Sequence, residues 1–107
     1  MFVTTTNDVS GYKIERYLGV VRGITVRSRS VVGNFVGGIH ALFGGNITVY
    51  TTLAEQARQE AYDLMCTHAE AVGANAVIAM RYDANEITDG ITEVLAYGTA
   101  VVVEKIS

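Results

Sequence analysis

Cys66, His68 and His40 are the side chains whose chemistry first invites a reading, because soft metal ions select thiolate and imidazole. Spacing tests Cys66-Thr67-His68 directly. Positions two apart on an α-helix point about 200° apart, nearly to opposite sides. Chelation from one helix needs a spacing of three or four. Cys66 and His68 therefore cannot share an ion while their helix is intact. His68 falls on the apolar face of that helix and reads as a hydrogen-bonded histidine of the core or of an interface. Cys66 has Tyr62, Asp63 and Glu70 at helical-neighbour spacing. Nearby carboxylates disfavour a thiolate, so Cys66 reads as an ordinary surface thiol. His40 stands in Ser30 to Ala54, a stretch without Asp, Glu, Lys or Arg. It can serve a metal only between subunits, where symmetry gathers copies of it or a neighbour's carboxylate joins it.

Two other patterns lead away from chemistry. Asp83 to Glu93 has the outline of a calcium loop, but Ile87 stands where an oxygen ligand is needed and Thr88 where glycine is needed. It reads as a solvated acidic tip. No GxSxG, no P-loop and no GxGxxG after a strand is present. Catalysis would need acid–base pairs assembled between subunits, and the non-enzymatic reading leads.

The elements that must position these residues follow from periodicity. Phe2 to Thr6 is rich in β-branched residues and predicts a short strand. Asn7 to Gly11 has turn chemistry. From Tyr12 to Arg27, Tyr12, Ile14, Leu18, Val20, Ile24 and Val26 alternate onto one face, with Arg16 and Arg22 interrupting. That predicts one long strand, or two bent at Gly19 or Gly23. Val32, Phe35, Val36, Ile39, Leu42 and Phe43 recur at helical spacing, with Ser30 able to cap and Gly44-Gly45 able to stop, which predicts a short apolar helix over about 31–43. Thr52 and Glu55 form a capping box, predicting a long helix from Thr52 to about Val72 with Gly73 as its stop. Its apolar face would carry Leu53, Ala54, Ala57, Ala61, Leu64, Met65, His68, Ala71 and Val72. Many of these are alanine, so the helix can lie close to a sheet. Beyond it, Asp89-Gly90 is a two-residue turn signal between alternating strands. The implied register sets Ala76 opposite Val103, Ile78 opposite Val101, Met80 opposite Thr99 and Tyr82 opposite Tyr97. Strands this long exceed the usual five or six residues, so the tip with Asp83, Glu86, Asp89 and Glu93 should project.

At 107 residues the chain is one domain, 1–107, able to bury about 65% of its extended surface. Half the residues are hydrophobic and 18% charged, which excludes a disordered tail. One cysteine excludes an internal disulfide framework. A net charge of -3 argues against a nucleic-acid partner. The glycines, asparagines and His40 that interrupt Ser30 to Ala54 argue against a membrane span. Met1 to Ser10 lacks the basic and apolar runs of a signal peptide, so the cytoplasm is expected. Charge is divided unevenly: residues 1–50 carry five basic and two acidic groups, residues 51–107 three basic and nine acidic. Either the halves pair within one copy, or the basic half of one copy meets the acidic half of the next, an arrangement that can close into a ring. A helix without charge on any side needs cover all round, and a small domain has little spare core to supply it; the alternative is that both faces are covered inside one subunit. These features predict an obligate homo-oligomer with Val32, Phe35, Ile39 and Phe43 in its interface. Tyr12, Tyr17, Tyr50 and Tyr97 and the arginines Arg16, Arg22 and Arg27 are candidates to line subunit boundaries, where a small ligand or a metal ion would bind.

Gly19-Val20-Val21-Arg22-Gly23, Gly44-Gly45 followed by Tyr50, Ala57-Arg58 with Ala61, Gly73-Ala74-Asn75-Ala76-Val77 and Tyr97-Gly98-Thr99-Ala100-Val101 together resemble the YbjQ-like family of small bacterial and archaeal proteins, over essentially the whole chain. The resemblance implies an α+β subunit with a mainly antiparallel sheet, assembling as a homopentameric ring or a pair of such rings. It also implies a family of unknown biochemical function that carries a heavy-metal-binding label and no established catalytic residues.

Overall fold

The structure is a computed structural model and describes residues 1–28 and 47–107. The expected helix over 31–43, with His40 and the interface residues Val32, Phe35, Ile39 and Phe43, lies outside the described residues, as does the side chain of Tyr50. Four strands, β1 (Phe2–Val3), β2 (Tyr12–Ser28), β3 (Ala76–Thr88) and β4 (Ile91–Lys105), and one helix, α1 (Ile47–Ala71), are described. The sheet order is β1-β3-β4-β2. β3 with β4 and β4 with β2 run antiparallel, while β1 pairs β3 in parallel. The fold is thus α+β with a mixed sheet, the parallel part being the two-residue β1.

β2 is one strand of 17 residues rather than two. Its pairing with β4 is interrupted between Ile14 and Arg16 and again between Tyr17 and Gly19. Each irregularity inserts one residue, so side-chain parity flips and then returns. Tyr12, Ile14, Val20, Ile24 and Val26 consequently share a face, as alternation predicts, with Tyr17 in place of Leu18. This face is turned away from α1. The helix lies instead on Val21, Gly23 and Thr25, which are buried.

Gly23 shows why. A Cβ there would overlap the backbone of Ala61 and Met65 and sit 2.7 Å from the Cβ of Leu64. The helix backbone rests directly on the strand, with Ala57, Ala61, Met65 and Ala69 buried against it. Thr25 Oγ1 donates to the Ala57 carbonyl at 3.0 Å and ties the two elements together. The contact follows the i, i+4 ridge, which is inclined to the helix axis. For that reason Ala54, Leu64, His68, Ala71 and Val72, expected on the buried face, are exposed. Cys66, expected as a surface thiol, packs against the core beside Tyr62 instead.

α1 begins at Ile47, so Thr52 and Glu55 lie inside the helix and do not open it. A Thr-x-x-Glu spacing fits a helix interior as well as a start, and propagation costs less than nucleation. The stop is as expected: Gly73 (φ 89°) donates to Glu70 O at 3.0 Å and Ala74 to Ala69 O at 3.0 Å, the paired bonds of a Schellman motif.

The Asp89-Gly90 turn joins β3 to β4, but the register slips. Ala76 faces Val101, Ile78 faces Thr99 and Tyr82 faces Ala96. Two irregularities, between Glu86 and Thr88 and between Ile78 and Arg81, each add a residue to β3. At the second, Ala79 takes a left-handed φ of 53°. The N–H groups of Ala79 and Met80 then donate to Thr6 O (2.8 Å) and Thr4 O (3.0 Å) of the N-terminal segment. Tyr82 and Met80 turn to the helix side, while Ala76 and Ile78 join Val9, Val101 and Val103 in a second small core on the other face.

Candidate functional site

The metal-type side chains stay apart. Cys66 packs against the core on the flank facing Tyr62 and Tyr82. Burial pushes its thiol above the usual range; a hydrogen bond from Tyr62 pulls the other way, and Asp63 and Glu70 push up again. The expected carboxylate effect is present, but burial outweighs it. Tyr62 is raised by burial and by Cys66, and Tyr82 by burial against the pull of Arg58. His68 faces β2: its Nδ1 accepts the backbone N–H of Arg22 at 3.2 Å. The predicted hydrogen-bonded role holds, at an exposed position rather than in the core. Among the described residues no three His, Cys, Asp or Glu side chains gather as a metal site. The tip is acidic and exposed at Asp83, Glu86 and Asp89, with Ile87 solvated at the place where a calcium loop needs an oxygen. Asp83 and Glu86 accept backbone N–H groups from Ala84 and Gly90, both at 3.0 Å.

Two features remain once those are set aside. The first is the sheet face opposite α1. The N-terminal segment covers one end of it through Val9. Toward the tip, Val20 is 67%, Ile24 43% and Val26 51% exposed, with Tyr17 at 69% and Tyr97 beside them. Tyr12, Arg16 and Arg22 are exposed as well, so most of the expected boundary residues do reach the surface.

The second is a cleft of about 510 Å³ between the first described turns of α1 and the hairpin. Leu53, Ala54 and Ala57 of the helix and Val94 of β4 give it an apolar lining. Arg27 enters from β2, Arg58 from α1 and Glu86 from β3. Arg27 forms an ion pair with Glu60. Arg58 lies over the Tyr82 ring, 5.6 Å from its centroid. Sequence reasoning named Arg27 and missed Arg58 and the cleft itself. The available signal was that Ala54, Ala57, Ala84 and Gly90, all small, line the approach of helix to hairpin and leave a gap there.

Comparison with known proteins agrees with this architecture. Residues 1–104 match the YbjQ family model, whose description reads "Putative heavy-metal-binding". A UPF0145 protein of Chromobacterium violaceum is 63% identical over 105 residues, covering 98% of this chain and 90% of that protein. A UPF0145 protein of Burkholderia mallei strain SAVP1 is 61% identical over 99 residues, covering 92% and 89%. A crystal structure of a protein of unknown function from Pediococcus pentosaceus, assigned to the DUF74 family, superposes with a TM-score of 0.63 over 97% of this chain and 98% of that one. At 18% identity it shares the fold alone. On the near-full-length match and these close relatives, the chain belongs to the YbjQ family.

Proposed function

We propose that this protein is a non-enzymatic, self-associating binding protein of the cytoplasm, whose copies close into a ring and hold a small ligand at or near subunit boundaries. The observation that carries the reading is the apolar face of β2. Val20, Ile24 and Val26 are β-branched residues that a sheet normally buries, and here they lie in the open next to Tyr17 and Tyr97. Contiguous exposed apolar surface of this kind marks an association site. Among the described residues β2 is also an edge strand, bonded within the sheet to β4 alone, and an edge offers itself for pairing. Val32, Phe35, Ile39 and Phe43 are proposed to extend the contact, and a pentamer or paired pentamers is the ring size that the family resemblance implies.

The heavy-metal description finds no matching donor set among the described residues: burial pushes the Cys66 thiol up, away from the thiolate a metal needs, and His68 is engaged with β2. His40, shared between subunits, is the metal position that the proposal retains. Light-scattering mass measured through a dilution series to low micromolar tests the reading. A mass that stays at a multiple of the 11.5 kDa chain is expected; a well-behaved 11.5 kDa particle overturns it. Elemental analysis of untagged protein, wild type against His40→Ala, tests the metal clause: equal metal content removes His40.

A further inference from the structure

We infer that the cleft between α1 and the β3–β4 hairpin takes a small monoanion, a carboxylate carried on an apolar body. This rests on the ligand-binding part of the proposed function and not on its self-association. The volume of about 510 Å³ falls within the range of small-molecule sites, about 300–1,000 Å³. The side chains of Leu53, Ala54, Ala57 and Val94 can neither donate nor accept hydrogen bonds, so whatever rests on them is hydrocarbon or aromatic.

The charged groups decide the head group. Arg27 is committed to Glu60, and its second nitrogen leans on Val26 O at 3.4 Å. Glu86 is held in the hairpin by the Gly90 N–H. Arg58 has Tyr82 beneath it and no ion pair among the described residues. Among the described residues, the cation lining the cleft that is left without an ion pair is therefore the Arg58 guanidinium. Held over a ring, a guanidinium keeps its planar fork of N–H groups free at the edge, the shape that meets a carboxylate with two parallel hydrogen bonds. Tyr82 restrains it beforehand, so less side-chain freedom is lost on binding. One cation without an ion pair among the described residues, with Glu86 nearby, suits a single negative charge. A cationic head would meet Arg27 and Arg58, and a dianionic phosphate would meet Glu86.

Titration of the full-length protein with octanoate, octylamine, octanol and octyl phosphate, followed by calorimetry and amide NMR, tests the assignment. Octanoate should bind saturably at about millimolar strength, shift the amides of Ala54, Ala57 and Val94, and bind about 10-fold more tightly than any of the other three. Arg58→Gln, at an exposed position, should keep the wild-type melting temperature and weaken octanoate about 10-fold. Ala54→Phe, which fills the cleft from an exposed helix position, should abolish binding. Octylamine, octanol or octyl phosphate binding as tightly as octanoate, unchanged affinity in Arg58→Gln, or no saturable octanoate binding would each overturn the inference. An oligomer that ignores octanoate sinks this inference and leaves self-association standing; a monomer that binds it does the reverse.

Discussion

The two faces of β2 solve the same problem in opposite ways. Toward α1 the strand presents Val21, Gly23 and Thr25, and the helix answers with Ala57, Ala61, Met65 and Ala69. Small residues on both sides let backbone approach backbone, and this side is closed within one chain. Away from α1 the same strand presents Tyr17, Val20, Ile24 and Val26, all large and all exposed. The difference teaches that apolar alternation identifies a face without saying what will cover it. Here the bulkier side chains are on the face turned away from α1.

The contrast breaks most severely on the helix side. Gly23→Val puts a branched side chain where the Ala61 and Met65 backbone already sits, and should cost about 3 kcal/mol or more, or prevent folding, in a urea melt. A variant as stable as wild type would show that α1 does not lie on this strand. On the outer face, Val20→Glu with Val26→Glu should leave the stability of the single subunit within about 0.5 kcal/mol per site while dissolving the assembly. Thr25→Val should cost about 1 kcal/mol, because it removes the bond to Ala57 O and little else.

How much of this was legible in the residues depended on the range of the cause. Gly73 and Asp89-Gly90 act locally, and both did what their neighbours predicted. The outer face of β2 was legible at Tyr12, Ile14, Val20, Ile24 and Val26, because its two irregularities cancel in parity, but between them Leu18 turns to the helix side and Tyr17 takes its place; the alternation also left one strand or two open. The hairpin register was not. Its slip is built in two steps, one between Glu86 and Thr88 and one at Ala79, a residue with no intrinsic preference for left-handed backbone, where the freed N–H groups are satisfied by carbonyls of Thr4 and Thr6 more than seventy positions away. The tilt of the buried stripe on α1 depends on how the helix crosses the sheet, so a projection down the helix axis misplaced Leu64, His68 and Cys66. The cleft needs three strands and the helix at once, and no stretch of sequence contains it. The relation of Cys66 to His68 was legible because two-residue spacing on a helix admits one answer.

The smallest expected effect sharpens the helix side through pH. Cys66, Tyr62 and Tyr82 are all raised, so the folded chain holds these protons more tightly than the unfolded chain. Their contribution is complete below the ordinary thiol value of 9.0 and is lost as pH climbs through the raised values. Melting temperature should therefore fall as pH rises above about 9, and Cys66→Ser with Tyr62→Phe should flatten that fall. An equally steep fall in the variant would place the titration elsewhere.

The central claim is that Val20 and Val26 are covered by another copy of the chain. Sedimentation velocity of wild type beside Val20→Glu with Val26→Glu, both at low micromolar concentration, addresses it most directly. The account predicts a defined oligomer for wild type and a folded single-subunit particle near 11.5 kDa for the variant. Identical sedimentation of the two proteins, at either mass, would contradict it.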